Sequence, residues 1–406
     1  MIWIFADGLT SGLGCAMILA DFPETGGIRQ GKVERAAHAI GGKPMTTHSL
    51  TLRAGPTALA RIRAEGLRPE AVRVVAGAAG GPKFLVLAGL DRFLFGEWFR
   101  GRTAPLFLVG ASIGAWRFAA ASTGAPESMD LLRRAYMAQT YSDQPDPAEI
   151  SAMGWKILDR FLGEGEKDAI LSHPSHRLSV LAVRSRPPVA SARRALLLPG
   201  LTGAALANLA ERRLLGWFFE RVLFSDSRKV PPFAQRNGFP LHCLVLTRRN
   251  LRAALMASGS IPLVMEGVAG IPDAPPGVYR DGGVIDYHLD LPFLPRGDDG
   301  LVLFPHYTDR IIPGWLDKKL TWRRPSAANM DKVLLVAPSA ELVRGLPGGR
   351  IPDRKDFHRF LGRDMDRLAV WRRAVTASER MAEEFAELLE SGRIREVVRP
   401  MEGMRE

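Results

Sequence analysis

Short, mostly apolar runs alternate along this chain with stretches in which apolar residues recur every three or four positions. Val72–Ala76 is the first such run. It ends in the glycine turn Gly77–Gly81, and Phe84–Phe95 then carries apolar residues at helical spacing. Leu106–Val109 repeats the pattern, closing on Gly110 before a helical stretch over Ile113–Ala121. The same logic predicts strands at Leu178–Val183, Leu241–Thr247, Leu301–Phe304 and Val333–Val336. It predicts helices at Pro56–Gly66, Ala148–Leu162, Ala204–Leu223, Leu251–Ser258 and Met365–Leu389. Four-to-seven-residue, mostly apolar strands separated by helices are the signature of a layered α/β fold, because strands covered on both faces lose the alternation of half-exposed ones. The expectation is a layered α/β fold around a largely parallel sheet. Loops fall at Arg184–Arg193 and Pro272–Pro276, where Pro and Arg gather. Residues 1–45 are glycine-rich and weakly periodic and read as an extension, with Met45 as a candidate start. Residues 70–310 carry the α/β alternation, and 311–406 read as a C-terminal extension packed on it.

Composition narrows the class without choosing a function. A 46% hydrophobic and 24% charged chain of 406 residues is ordinary for a globular protein. Two cysteines, Cys15 and Cys243, exclude a disulfide framework and a multi-thiol metal site, and no cofactor is expected. The net charge of +12 attracts anions in general. Its arginines are scattered, with neither a lysine block nor interleaved aromatics, so dedicated nucleic-acid binding is not expected. No run reaches the ~20 apolar residues of a membrane span. Met1–Ala20 carries Asp7 and no basic start, Cys15 lacks a Leu three positions earlier, and the cytoplasm is the expected compartment. Two stretches suit peripheral contact with an anionic membrane: the Trp217 region of Ala204–Leu223, and Gly314–Arg324, where tryptophans sit among basic residues. A core helix and a basic surface loop are the plainer readings of the two.

The chemistry centres on Gly110-Ala111-Ser112-Ile113-Gly114, at the junction of a predicted strand and a predicted helix. A nucleophile elbow needs that setting: the turn is so tight that its flanks must be small, and the serine is thrust outward. The alternative is a glycine-punctuated turn with an idle serine. A serine hydroxyl needs a base within hydrogen-bond reach. His173 and His176 bracket a proline and read as a turn, while His242 reads as core. His288 and His306, near strand ends, are the histidines with some claim to the role. The other candidate is Asp281 in Asp281-Gly282-Gly283, a sequence that also suits a plain turn. Just upstream lies Ala257-Ser258-Gly259-Ser260-Ile261-Pro262.

These three segments occur in the order found in patatin-like phospholipases, and between Val72 and Tyr287 the chain resembles that family. The resemblance implies a three-layer α/β/α sandwich and a Ser–Asp dyad without histidine, with Ser112 as nucleophile and Asp281 as base. It also implies a glycine-rich loop whose amides hold an oxyanion, here Gly77-Ala78-Ala79-Gly80-Gly81-Pro82-Lys83. Gly77, Gly80 and Gly81 are the candidate donors, Pro82 has no N–H, and Lys83 offers displaced positive charge. The implied activity is hydrolysis of a lipid or small ester. A histidine-using α/β-hydrolase and a non-enzymatic lipid-binding relative remain as alternatives.

Overall fold

The strands of this protein, seen in a computed structural model that describes residues 48–405, all join one sheet. In chain order they are β1 (Leu50–Ala54), β2 (Val72–Gly77), β3 (Leu106–Ala111), β4 (His176–Ser185), β5 (Phe219–Ser225) and β6 (Leu241–Val245). Then follow β7 (Val268–Ala269), β8 (Val278–Asp281), β9 (Leu301–Pro305), β10 (Val333–Pro338) and β11 (Arg399–Pro400). Across the sheet the order is β11-β1-β10-β9-β2-β3-β4-β5-β6, with the short β7–β8 pair joined to β4. The five central strands β10, β9, β2, β3 and β4 are mutually parallel. Their residues are almost all buried, which is why they read as mostly apolar runs. Helices surround this sheet, so the expected α/β architecture with a mostly parallel centre holds. The 1–45 extension, with Cys15 and Met45, lies outside the described residues.

Three expectations need correction. Residues 311–406 are no appendage: β10 sits beside β9 inside the sheet, and β11 pairs with β1. The helix Asp364–Glu390 buries Trp371, Ala374, Ser378, Met381 and Phe385 at three- and four-residue spacing. It docks on Ala88–Phe93, where the Ser378 hydroxyl accepts the Gly89 N–H at 2.8 Å. Second, Ala204–Leu223 is not one helix. A helix spans Arg194–Ala210, a tight turn covers Arg212–Trp217, and β5 follows. The many apolar residues of that run suggested a core helix covering the sheet. Its C-terminal part is instead a buried strand whose charges are paired: Arg221 is buried in a two-bond pair with Asp286 (2.6 and 2.7 Å), and Glu220 meets Arg184 and Arg186. Third, His242 lies on the edge strand β6, not in the core, and meets Glu220 at 3.1 Å.

The helix Arg194–Ala210 leaves Leu196, Leu198, Leu206 and Leu209 exposed, and Trp217 beyond it is 67% exposed. Its inner side is tied to the 314–324 stretch through Asp317. That buried carboxylate accepts from Asn208 Nδ2 at 2.8 Å and pairs with Arg212 and Arg323. Among the described residues no helix is long and apolar enough to cross a membrane.

Candidate active site

β4 explains how residues 112 and 281 come together. β3 runs parallel to the first half of β4 and ends with Ala111 opposite Leu181. β8 runs antiparallel to the second half and ends with Asp281 opposite Ala182. Two strands therefore meet end to end along one edge of a third, and adjacent positions on β4 bring Ser112 and Asp281 face to face. The Ser112 hydroxyl donates to Asp281 Oδ2 at 2.8 Å, with both residues buried.

The turn after β3 is as sharp as an elbow requires. Ser112 has φ 56° and ψ −130°, a region costing a side-chain-bearing residue about 1–3 kcal/mol. Close packing holds it there. A Cβ on Gly110 would overlap the Ala115 amide, and one on Gly114 would overlap the carbonyl of Gly77. The helix Ile113–Ala121 is buried throughout and points its partly positive N-terminus at Ser112. Ser258 locks the turn from the other side. Its hydroxyl accepts the Ser112 N–H at 2.8 Å and donates to the Leu181 carbonyl of β4 at 2.6 Å. The Ala257–Pro262 segment thus supports the elbow, and Asp281 N–H donates to the Ser260 carbonyl at 2.9 Å.

Asp281 is the last residue of a strand, not part of a free turn. Its Oδ1 accepts the Gly283 N–H at 2.7 Å, so Oδ2 is left to face Ser112. The segment beyond it is anchored by the buried Arg221–Asp286 pair. Burial pushes the carboxyl up to about 6, against the lowering pull of the Ser112 hydroxyl, the Gly283 amide, Arg354 and Lys318. A carboxylate so shifted is a better base at neutral pH than an exposed one.

The glycine loop divides into two parts. Gly77 is the last residue of β2, opposite Gly110, and the space where its Cβ would lie is taken by the Phe118 ring. It is a packing glycine of the strand end, held in the sheet and not in the free part of the loop. Ala79 N–H is engaged by the Tyr287 carbonyl at 3.0 Å. Gly80 and Gly81 donate no hydrogen bond among the described residues, so their amides stand ready for an incoming acceptor. The loop lies against both motifs: Gly114 packs under the Gly77 and Ala78 carbonyls, and Gly283 faces Ala79.

His288 and His306 are turned to other work. His288 Nδ1 accepts the Ile312 N–H at 3.0 Å, and Nε2 lies 2.7 Å from the Tyr307 hydroxyl. That hydroxyl donates to the Ala79 carbonyl at 2.7 Å, so the imidazole braces the glycine loop. His306 Nδ1 accepts from Thr308 N–H. Burial lowers both histidines, His306 to about 3, and keeps them neutral. Sequence reasoning missed Tyr136, Tyr287, Tyr307 and Arg354, which surround the loop and carry no local motif. Lys318 stood in the Trp-rich stretch but was read as part of a surface. Among the described residues no group of three or more His, Cys, Asp or Glu gathers as a metal site.

No protein-family model, no curated protein and no solved structure matches this chain.

Proposed function

We propose that this protein is a serine acyl hydrolase of the patatin-like type, a three-layer α/β/α enzyme that cleaves carboxylic esters of lipids. The observation that carries the reading is the 2.8 Å bond from a strained, elbow-mounted Ser112 hydroxyl to the buried Asp281 carboxylate. In the first step Asp281 takes the Ser112 proton as Oγ attacks the ester carbonyl. The carbonyl electrons move to oxygen, held by the Gly80 and Gly81 amides, each such donor contributing about 2.7–4 kcal/mol in comparable enzymes. The tetrahedral species collapses, and protonated Asp281 returns its proton to the leaving alcohol. Water, deprotonated by the same carboxylate, then attacks the acyl-serine and releases the acid. A histidine-based alternative finds no support in the bonds of His288 and His306.

A fluorophosphonate ester tests both the nucleophile and the base. Wild-type protein is expected to be labelled at Ser112, and Ser112→Ala to be inert. The labelling rate is expected to rise about tenfold per pH unit below 6 and to level off above it, because only ionised Asp281 accepts the proton. No labelling, or equal labelling of Ser112→Ala, would leave the lipid-binding alternative in place.

We further propose that the Arg194–Trp217 segment meets a peripheral, anionic lipid surface. Its exposed leucines and Trp217 are flanked by exposed Arg193, Arg194 and Arg213, the mixture that favours headgroup-level contact. Trp322, 64% exposed in the neighbouring stretch, extends it. In flotation with phosphatidylglycerol vesicles, Leu206→Ser/Leu209→Ser/Trp217→Ser is expected to cut bound protein at least fivefold. Unchanged flotation would remove this surface from consideration.

A further inference from the structure

Among the described residues several inward-facing arginines are matched by carboxylates. Buried Arg117 pairs with Asp91, Arg221 with Asp286, and Arg212 with Asp317. Around the glycine loop the pattern breaks. Lys318 Nζ lies 4.4 Å from the centre of the Tyr287 ring, and Lys83 Nζ lies 4.8 Å from that of Tyr307. Arg354 Cγ and the Tyr136 hydroxyl both come within 3.3 Å of the point where a Cβ on Gly81 would sit. None of the three cations forms an ion pair with a carboxylate among the described residues; Arg354 and Lys318 act only across space on the Asp281 carboxyl.

We propose that Lys83, Lys318 and Arg354, with the Tyr136 and Tyr287 hydroxyls, form a subsite for an anionic phosphate group carried by the substrate. This deepens the hydrolase reading and rests on it for the position of the scissile ester. Three like charges converging on half-buried ground repel one another and lose hydration, a cost that a bound anion offsets. A phosphate ester carries one to two negative charges and several acceptor oxygens, enough to engage more than one cation, whereas a carboxylate carries one charge. The field is felt locally. Burial would raise the Tyr287 hydroxyl, yet Lys318, Lys83, the bond to Tyr307 and Arg354 together outweigh it and bring the group down to about 8. Lys318 is lowered by burial, with Arg354 and Lys83 adding to the effect, as crowded cations should be. Asp317 and the turn containing it set the position of Lys318, since that buried carboxylate is gripped from the Arg194–Ala210 helix and its following turn. The same tie connects the subsite to the surface assigned above to lipid contact.

Equilibrium titration of the Ser112→Ala protein, which cannot turn over ester, tests the subsite apart from catalysis. The probes are 1-hexanoyl-lysophosphatidic acid and monohexanoylglycerol, which share an acyl chain and differ by the phosphate. The phosphate ligand is expected to bind at least 30-fold more tightly. Lys318→Met and Arg354→Met, each added to Ser112→Ala, are expected to shrink that ratio at least fivefold, while Lys318→Arg keeps it. Inorganic phosphate that displaces the lysophosphatidic acid supports a pocket open to the free anion. Failure to displace, with the ratio intact, supports recognition of phosphate only as a lipid headgroup. Equal affinity for the two ligands overturns the proposal, and so do Met variants that weaken both equally, since the cations would then serve only the oxyanion or the fold. A ratio that persists in a protein whose Ser112 resists fluorophosphonate removes the hydrolase and leaves the anion subsite standing.

Discussion

Asp281→Asn is expected to lower kcat for ester hydrolysis by about 10⁴-fold, in line with losses seen when an enzyme's catalytic carboxylate becomes an amide. The exchange keeps the shape and keeps an oxygen that can accept from Ser112 Oγ at 2.8 Å, but an amide cannot carry the proton away. Stability should move in the opposite direction. Burial raises the folded Asp281 from 3.8 to about 6, so between those values the folded state holds a proton that the unfolded state has released. Its contribution to stability therefore falls as pH rises through that window and is lowest above 6. The variant lacks this penalty, which is worth about 3 kcal/mol at most. Tm measured from pH 4 to 8 should show the variant gaining on wild type as pH rises and the gap closing near pH 4. An Asn variant within tenfold of wild-type activity would rule out Asp281 as the base.

The second large effect is expected from Gly114→Ala. The added methyl would overlap the Gly77 carbonyl oxygen and sit 2.8 Å from that of Ala78, and both are backbone atoms that cannot rotate aside. Relief requires the helix Ile113–Ala121 and the glycine loop to separate. We expect a loss of roughly 2–3 kcal/mol in stability, as for overpacking elsewhere, and at least 10²-fold in kcat as donors and nucleophile lose register. Gly96→Ala serves as the control, since its new Cβ meets nothing within 4 Å. Denaturant melts and esterase kinetics on the two variants should diverge sharply. If Gly114→Ala behaves like the control, the tight elbow is not what the function needs.

The comparison between reading and structure turns on burial. The helix Ile113–Ala121 has the bounds its pattern predicts, and β2, β3, β9 and β10 fall within two residues of theirs, because all are wrapped in apolar neighbours and show it in composition. β5 was hidden inside a predicted helix because Glu220 and Arg221 interrupt its apolar run, and their partners lie 22 to 65 residues away. β8 was hidden because four residues ending in Asp-Gly-Gly look like a turn until β4 provides an edge to pair with. The boundary drawn near residue 310 failed for a related reason, since β10 follows an irregular stretch and only pairing reveals its membership.

By itself the amino-acid order determined the alternation of strand and helix, the glycine-flanked Ser112 at a strand end, and a short list of partners for it. Those properties depend on neighbours a few residues apart, where size, backbone freedom and periodicity act directly. Tertiary structure alone put the Asp281 carboxylate on the Ser112 hydroxyl and gave His288 and His306 other partners, moved Gly77 from the loop into the sheet, and gathered Lys83, Lys318 and Arg354 around one loop. Each of those outcomes depends on which distant segments share an edge of β4 or a buried pocket. Hydrogen-bond reach is about 3 Å and carries no record of separation along the chain.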